Sequence, residues 1–342
     1  MAEGYLLSAI CYPLSAIRYL LTAIRYLPSA IGHLLMSSPH ILFLFLDGVG
    51  LGEPDPENNP FVTAEIPTLL RLLGGQRPLA DTPRTETARA LFVPTDASLR
   101  VDGPPQSATG QAAILTGLNV PQLVGGHWGP KPNEAIAQII QRESLFVKLK
   151  ARGLNAALLN AYPQRYFDAI NSGRRNYSAI PLAVTAAGLP LFTTDDLRAG
   201  RALSADFTGE GWRTELKIPD APVYSLREAG RKLAELAAQW RFSFFEHWPT
   251  DLVGHRGALA DARRVVERFD AVLGGLLDAW DDEAGLVVIT SDHGNLEDLS
   301  HTHHTLNLVP TCVVGAARRA FADGLSDLTH FVPAILRTLA LL

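Results

Sequence analysis

Sulfur is scarce in this chain, with two cysteines and two methionines among 342 residues. Cys11 and Cys312 stand about 300 positions apart. That spacing excludes a disulfide framework and makes a reducing, cytoplasmic setting the expectation. Positive charge is not in excess. Lys and Arg total 30 against 35 Asp and Glu, a formal net charge of -5. The signature of a polyanion binder is therefore missing, and nucleic acid is not expected as a partner. A membrane span needs about 20 apolar residues in a row. In the amino-terminal apolar region Arg18 and Arg25 interrupt the run, so no membrane association is expected. Glu3 stands where a secretory signal carries basic residues. What is present is a 47% hydrophobic, 19% charged composition. It suits a substantial core, in one large α/β domain or two ordinary ones.

The amino terminus repeats itself. "SAICYPL", "SAIRYLL", "TAIRYLP" and "SAIGHLL" follow one another from Ser8 to Leu35 with a seven-residue period. Ile10, Ile17, Ile24 and Ile31 would form a helical seam, but Pro13 and Pro28 argue against a continuous helix. Residues 1–35 therefore read as a repetitive extension outside the fold. Folding is expected to start near Met36, in a domain covering 36–342.

"HILFLFLD" (40–47) is a short apolar run of the kind found in strands buried on both faces. "GLVVITSDHG" (285–294) and "RFSFFEHWPTD" (241–251) have the same form, and "LVPTCVVG" (308–315) adds another strand. Amphipathic helical patterns occupy 143–153, 225–240, 260–280 and 327–342. Buried strands alternating with helices predict an α/β three-layer sandwich, a mostly parallel sheet with helices on both faces. Residues 161–222 are less periodic and rich in turn formers, and read as a small insertion over the site.

Chemistry in such sheets gathers at the carboxyl ends of the strands. Asp47, Asp251 and Asp292 each follow an apolar run. Three acids at one sheet edge need a compensating cation. "DLVGH" sets Asp251 and His255 four apart, side by side on a helical turn. "DHG" adds His293, and "HTHHT" offers His301, His303 and His304. Mixed carboxylate and imidazole donors suit Zn²⁺ or Mn²⁺. Each motif alone has an ordinary explanation as a turn or a solvated loop, and their recurrence at three strand ends does not. In "QSATGQAAILTG" (106–117) Ser107 stands at the entrance to a helix. It could be an N-cap, or it could face a phosphate drawn to the free N–H groups there.

Together "FLFLDGVGLGE", "SATGQAAILTG", "DLVGH", "VITSDHGNLED" and "HTHHTLNLVP" resemble the alkaline phosphatase superfamily. The nearest likeness is to its cofactor-independent phosphoglycerate mutase and phosphopentomutase branch. The resemblance runs over about 40–315 and implies two divalent metal ions. It assigns Asp47, Asp292, His293 and Ser107 to one, and Asp251, His255 and His304 to the other. Ser107 is implied as the nucleophile because it stands nine residues before Thr116-Gly117 and three before Gly110; Thr109 is the alternative. His304 is chosen because it lies five residues before Val309-Pro310. His301 matches a further histidine of the branch and would touch substrate or support the site.

The implied chemistry is in-line displacement at phosphorus through a phosphoserine, on a small-molecule phosphate ester. Two departures qualify the likeness. The stretch between Ser107 and Asp251 is too short for the mutases' full cap domain, and Gln111 stands where they usually have histidine. A poorly covered site admits water, so hydrolysis of a phosphate mono- or diester is the favoured expectation. A phosphomutase and a non-catalytic metal-binding relative are the alternatives. His127, Lys131, Arg174 and Arg175 are candidates for holding phosphate oxygens or the leaving group.

Overall fold

The computed structural model describes residues 40–341. The repeats of 1–35, the proposed start at Met36 and Cys11 lie outside the described residues. Nine strands are found among the described residues. They are β1 (His40–Leu46), β2 (Thr85–Glu86), β3 (Ala90–Thr95), β4 (Ala156–Leu158), β5 (Ala161–Tyr162), β6 (Phe192–Thr193), β7 (Phe242–His247), β8 (Gly285–Thr290) and β9 (Val309–Val314). The helices that shape the site or its support are α1 (Ser107–Thr116), α2 (Glu134–Glu143), α3 (Leu145–Ala151), α4 (Ala179–Ala186), α5 (Leu226–Ala237), α6 (Pro249–Arg256), α7 (Leu259–Ala279) and α8 (Phe331–Leu341).

Seven strands form one sheet in the order β2-β3-β9-β8-β1-β7-β4. β1 lies between β7 and β8, parallel to both, and β4 pairs parallel with β7. The remaining pairs, β8–β9, β9–β3 and β3–β2, are antiparallel. The parallel expectation thus holds for the block β4-β7-β1-β8, and the sheet as a whole is mixed. The reason lies in the connection. Between β8 and β9 the chain runs through turns and loop with no helix to carry it back across the sheet, so it returns in the opposite direction.

β1 is buried along its whole length because both sheet faces are covered. Alternate side chains join different cores. Ile41, Phe43 and Phe45 pack with Ala112 of α1, Ile140 of α2, Phe146 of α3 and Phe331 of α8. Leu42, Leu44 and Leu46 pack with Leu233 of α5 and Phe269 and Leu273 of α7. The result is the expected three-layer sandwich. Residues 161–222 hold the small β5–β6 sheet and a satellite core of Ala161, Leu197, Ala202, Trp212 and Ala221. Within the same stretch α4 packs Ile180, Ala183 and Val184 into the first main core. Cys312 is buried and free. No helix among the described residues is long and apolar enough to cross a membrane.

Candidate metal centre

Parallel pairing of β7, β1 and β8 brings their carboxyl ends to one edge. Asp47 follows β1 directly, Asp292 follows β8, and α6 starts just past β7 with Asp251 in its first turn. Gly48 makes the turn after β1 at φ +67. A Cβ there would lie 2.5 Å from Asp251 Oδ1, so only glycine lets the first strand end approach α6. Gly110 does the same for α1, where a Cβ would meet the Asp292 carbonyl at 2.8 Å.

Ser107 is the first helical residue of α1, and the N-cap is Gln106, which makes no side-chain capping bond. The Ser107 hydroxyl instead lies 3.1 Å from His293 Nε2. His293 Nε2 is 3.4 Å from Asp47 Oδ1 and 3.6 Å from Asp292 Oδ2. Thr109, the alternative to Ser107, points elsewhere: its hydroxyl donates to the carbonyl of Gln106 at 3.1 Å. On the outer side, His255 Nε2 lies 3.4 Å and His304 Nε2 3.8 Å from Asp251 Oδ1. The rings of His293 and His304 stack with centroids 3.7 Å apart and join the two groups. Ligand atoms of Asp251, His255 and His304 converge within 4.8 Å, as do those of Asp47, Asp251 and His293.

The backbone fixes the tautomers. His304 Nδ1 sits 2.8 Å from the Pro105 carbonyl, and His255 Nδ1 2.9 Å from that of Thr302. A carbonyl only accepts, so each Nδ1 carries the hydrogen and each Nε2 a lone pair. Yet these two Nε2 atoms stand 3.2 Å apart. Two lone pairs facing at that distance repel unless a proton or a cation lies between them. Burial and the neighbouring His293 pull the His304 pKa down to about 4, so His304 itself does not carry such a proton near neutral pH. The donor set therefore fits a cation.

The inner side leads to the same place. Burial, then the charges of Asp292 and Asp251, drive the Asp47 carboxyl well above the usual carboxylate range. Burial and Asp251 push Asp292 to about 7, against a hydrogen bond from Gln111 that lowers it. Asp47 Oδ1 is buried and has no hydrogen-bond partner. Buried like charges with an orphaned oxygen need a positive ion.

Four supporting roles are absent from the sequence reading, which names Gln111 only as a departure from the mutases. Gln111 donates through Nε2 to Asp292 Oδ2 at 3.1 Å and to Asp47 Oδ2 at 3.4 Å. Asn295 donates to Asp251 Oδ1 at 2.7 Å. Glu297, almost fully buried, accepts from the backbone of Gly50 and Asn295 and from the Thr305 hydroxyl, and so ties the loop after β1 to the loop after β8. Glu246, near the end of β7, is raised to about 7 by burial and by Asp292. The glycines at 50 and 294 were the available signal for Glu297, since a Cβ on either would collide with its carboxylate.

A cleft of about 1190 Å³ opens beside the cluster. Its lining includes Asp47, Glu246, Asp251 and His255 together with Tyr162, Arg174, Arg175 and Trp212. Arg174 and Arg175 thus share a cleft with the candidate ligands. His127 and Lys131 do not line it. His127 Nε2 lies 3.2 Å from the Val101 carbonyl. The Lys131 ammonium has its pKa lowered, by burial and then by Arg175. His301 is exposed, 3.5 Å from Asp298, and is not among the converging donors.

Comparison with known proteins narrows the lineage. Residues 217–337 match the family described as Metalloenzyme superfamily. Over that stretch the chain is similar to this superfamily. That stretch contains Asp251, His255, Asp292, His293 and His304, while Asp47 and Ser107 lie upstream of it. A 2,3-bisphosphoglycerate-independent phosphoglycerate mutase of Laribacter hongkongensis is 33% identical over 129 residues, covering 35% of this chain and 25% of the relative. The enzyme of that name from Roseobacter denitrificans is 35% identical over 160 residues, 42% of this chain and 31% of the relative. The matches therefore span about a quarter to a third of those relatives' length. Among solved structures, the PH0037 protein from Pyrococcus horikoshii aligns with TM-score 0.52 at 15% identity, covering 89% of this chain and 98% of that one. That likeness concerns the fold alone.

Proposed function

We propose that this protein is a metal-dependent phosphoryl-transfer enzyme that uses Ser107 as nucleophile and two divalent cations, Mn²⁺ or Zn²⁺. Asp47, Asp292, His293 and the Ser107 oxygen would hold one cation, and Asp251, His255 and His304 the other. The observation that carries the reading is the pair of imidazole lone pairs facing each other at 3.2 Å, beside a hydroxyl 3.1 Å from His293. When bound, the cations supply the charge that makes a serine hydroxyl ionisable near neutral pH and that draws density from a phosphate oxygen. Ser107 attacks phosphorus, the ester alcohol departs, and a phosphoserine remains. Arg174 and Arg175, which line the same cleft, offer planar donor forks to the anionic ester. Gln111 keeps two carboxylates in place by occupying their Oδ2 atoms.

The phosphoserine can be resolved by water or by a second hydroxyl of the substrate. Openness of the cleft favours water, and hence a phosphomonoester or phosphodiester hydrolase. The names of the matched relatives favour an internal acceptor, and hence a phosphomutase. Metal-loaded protein incubated with sugar phosphates and p-nitrophenyl phosphate separates them. Release of inorganic phosphate supports the hydrolase, and isomerisation without release supports the mutase. Absence of both, with metal bound, would leave a non-catalytic metal binder.

A further inference from the structure

Helix α6 carries two stripes of side chains at helical spacing. Asp251 and His255 form one, turned toward the cluster. Trp248, Leu252 and Arg256 form the other, displaced by one residue and lining the same cleft. Trp248 is the N-cap residue of α6, and its indole gives the helix no capping bond. Trp248 is 47% and Leu252 41% exposed. Two large apolar side chains left in water immediately beside a candidate catalytic cluster are costly for a folded chain and mark a contact surface. Trp212 lines the same cleft. The cleft, at about 1190 Å³, is larger than the ~300–1,000 Å³ typical of pockets for drug-sized ligands. A three-carbon phosphate would leave most of it empty. A bare sugar phosphate would make no use of an exposed indole.

Resting on the phosphoryl-transfer reading, we infer that the Trp248–Leu252–Arg256 stripe is the leaving-group subsite, and that the substrate is the phosphate of an alcohol bearing a planar ring. The phosphate faces Asp47, Asp251 and His255. The ring lies along the indole, and a guanidinium at Arg256 is positioned to meet a ring face or a polar substituent.

Ribose 5-phosphate and adenosine 5′-monophosphate test this directly. Both leave through the same primary alcohol oxygen, so any difference reports the ring. The nucleotide should be preferred in kcat/KM by roughly tenfold or more, mainly through KM, as a base–aromatic stack provides. Trp248→Ala should bring the ratio toward one; Leu252→Ser probes the same wall if that variant does not fold. Equal kcat/KM for the two esters in the unaltered enzyme would overturn the inference and leave the phosphoryl-transfer reading intact. If neither ester turns over, the phosphoryl-transfer reading stands or falls on p-nitrophenyl phosphate and the sugar phosphates. Titration of metal-loaded protein with adenosine 5′-monophosphate, followed by tryptophan fluorescence, then decides the subsite alone. Saturable quenching that Trp248→Ala removes supports it, and no quenching refutes it.

Discussion

The two halves of the cluster are built from different material. Asp292 and His293 are fully buried, and Asp47 and Ser107 are 8% exposed; all four stand on strand ends or on a helix packed against them. In the outer half the side chains of Asp251 and His255 are 21% and 35% exposed, and His304 comes from a loop. The inner half is fixed by the sheet before any ion arrives, and it carries the electrostatic strain of packed carboxylates. The outer half is aligned one side chain at a time, by carbonyl bonds to two imidazoles and an amide bond to Asp251. The lesson is that one cluster can combine a dry half set on strand ends with a wetter half held by side-chain bonds.

The largest effect should come from the inner half. Ser107→Ala is expected to lower turnover by at least roughly a thousandfold even with metal in saturating excess; activity near that of the unaltered enzyme would end the nucleophile assignment. Next comes a contrast between halves. His255→Ala should remove one metal equivalent and leave the melting temperature of chelated protein unchanged. Asp292→Asn should remove the other equivalent and raise that melting temperature by a few degrees, because it deletes a buried like charge. If both variants shift the chelated protein equally, the inner half is not the strained one. Gln111→Ala should weaken metal affinity by about 10–100-fold, as loss of a supporting hydrogen bond does, read by competition with a chelating dye.

The most specific effect is in pH. With Asp292 at about 7 in the folded, metal-free chain against 3.8 ordinarily, the folded state keeps a proton that the unfolded state has lost between those values. Its contribution is fully present below about 4 and disappears as pH rises toward 7. His304, pulled down to about 4 from 6.5, works in the opposite sense over part of that window. The comparison should therefore be between the chelated unaltered protein and chelated Asp292→Asn. The stability gap should widen by at most about 1.4 kcal/mol per pH unit from pH 4 to 7 and then level off. A gap independent of pH would refute the shift.

Much of this was legible in the sequence because β1, β7 and β8 are buried on both faces, and a continuous apolar run marks such strands. Their ends could be located, and with them Asp47, Asp292 and the start of α6. The antiparallel side was not legible. β3 reads Ala90–Thr95 with a proline inside it, and nothing in its pattern declares direction. β4 is only three residues long, below what periodicity can register. Gln111, Asn295 and Glu297 escaped for another reason. An amide or a lone carboxylate has many ordinary uses, and only the fold reveals that these three are buried against candidate ligands. Arg174 and His127 looked alike as basic residues in loops, and just one of them faces the cleft.

The bond from His304 to the Pro105 carbonyl has a mechanical corollary. Pro105 lies two residues ahead of Ser107, so the segment that aims the hydroxyl is leashed to an imidazole of the opposite half. A shift of that imidazole is therefore passed through the Pro105 carbonyl to the backbone that carries the Ser107 hydroxyl.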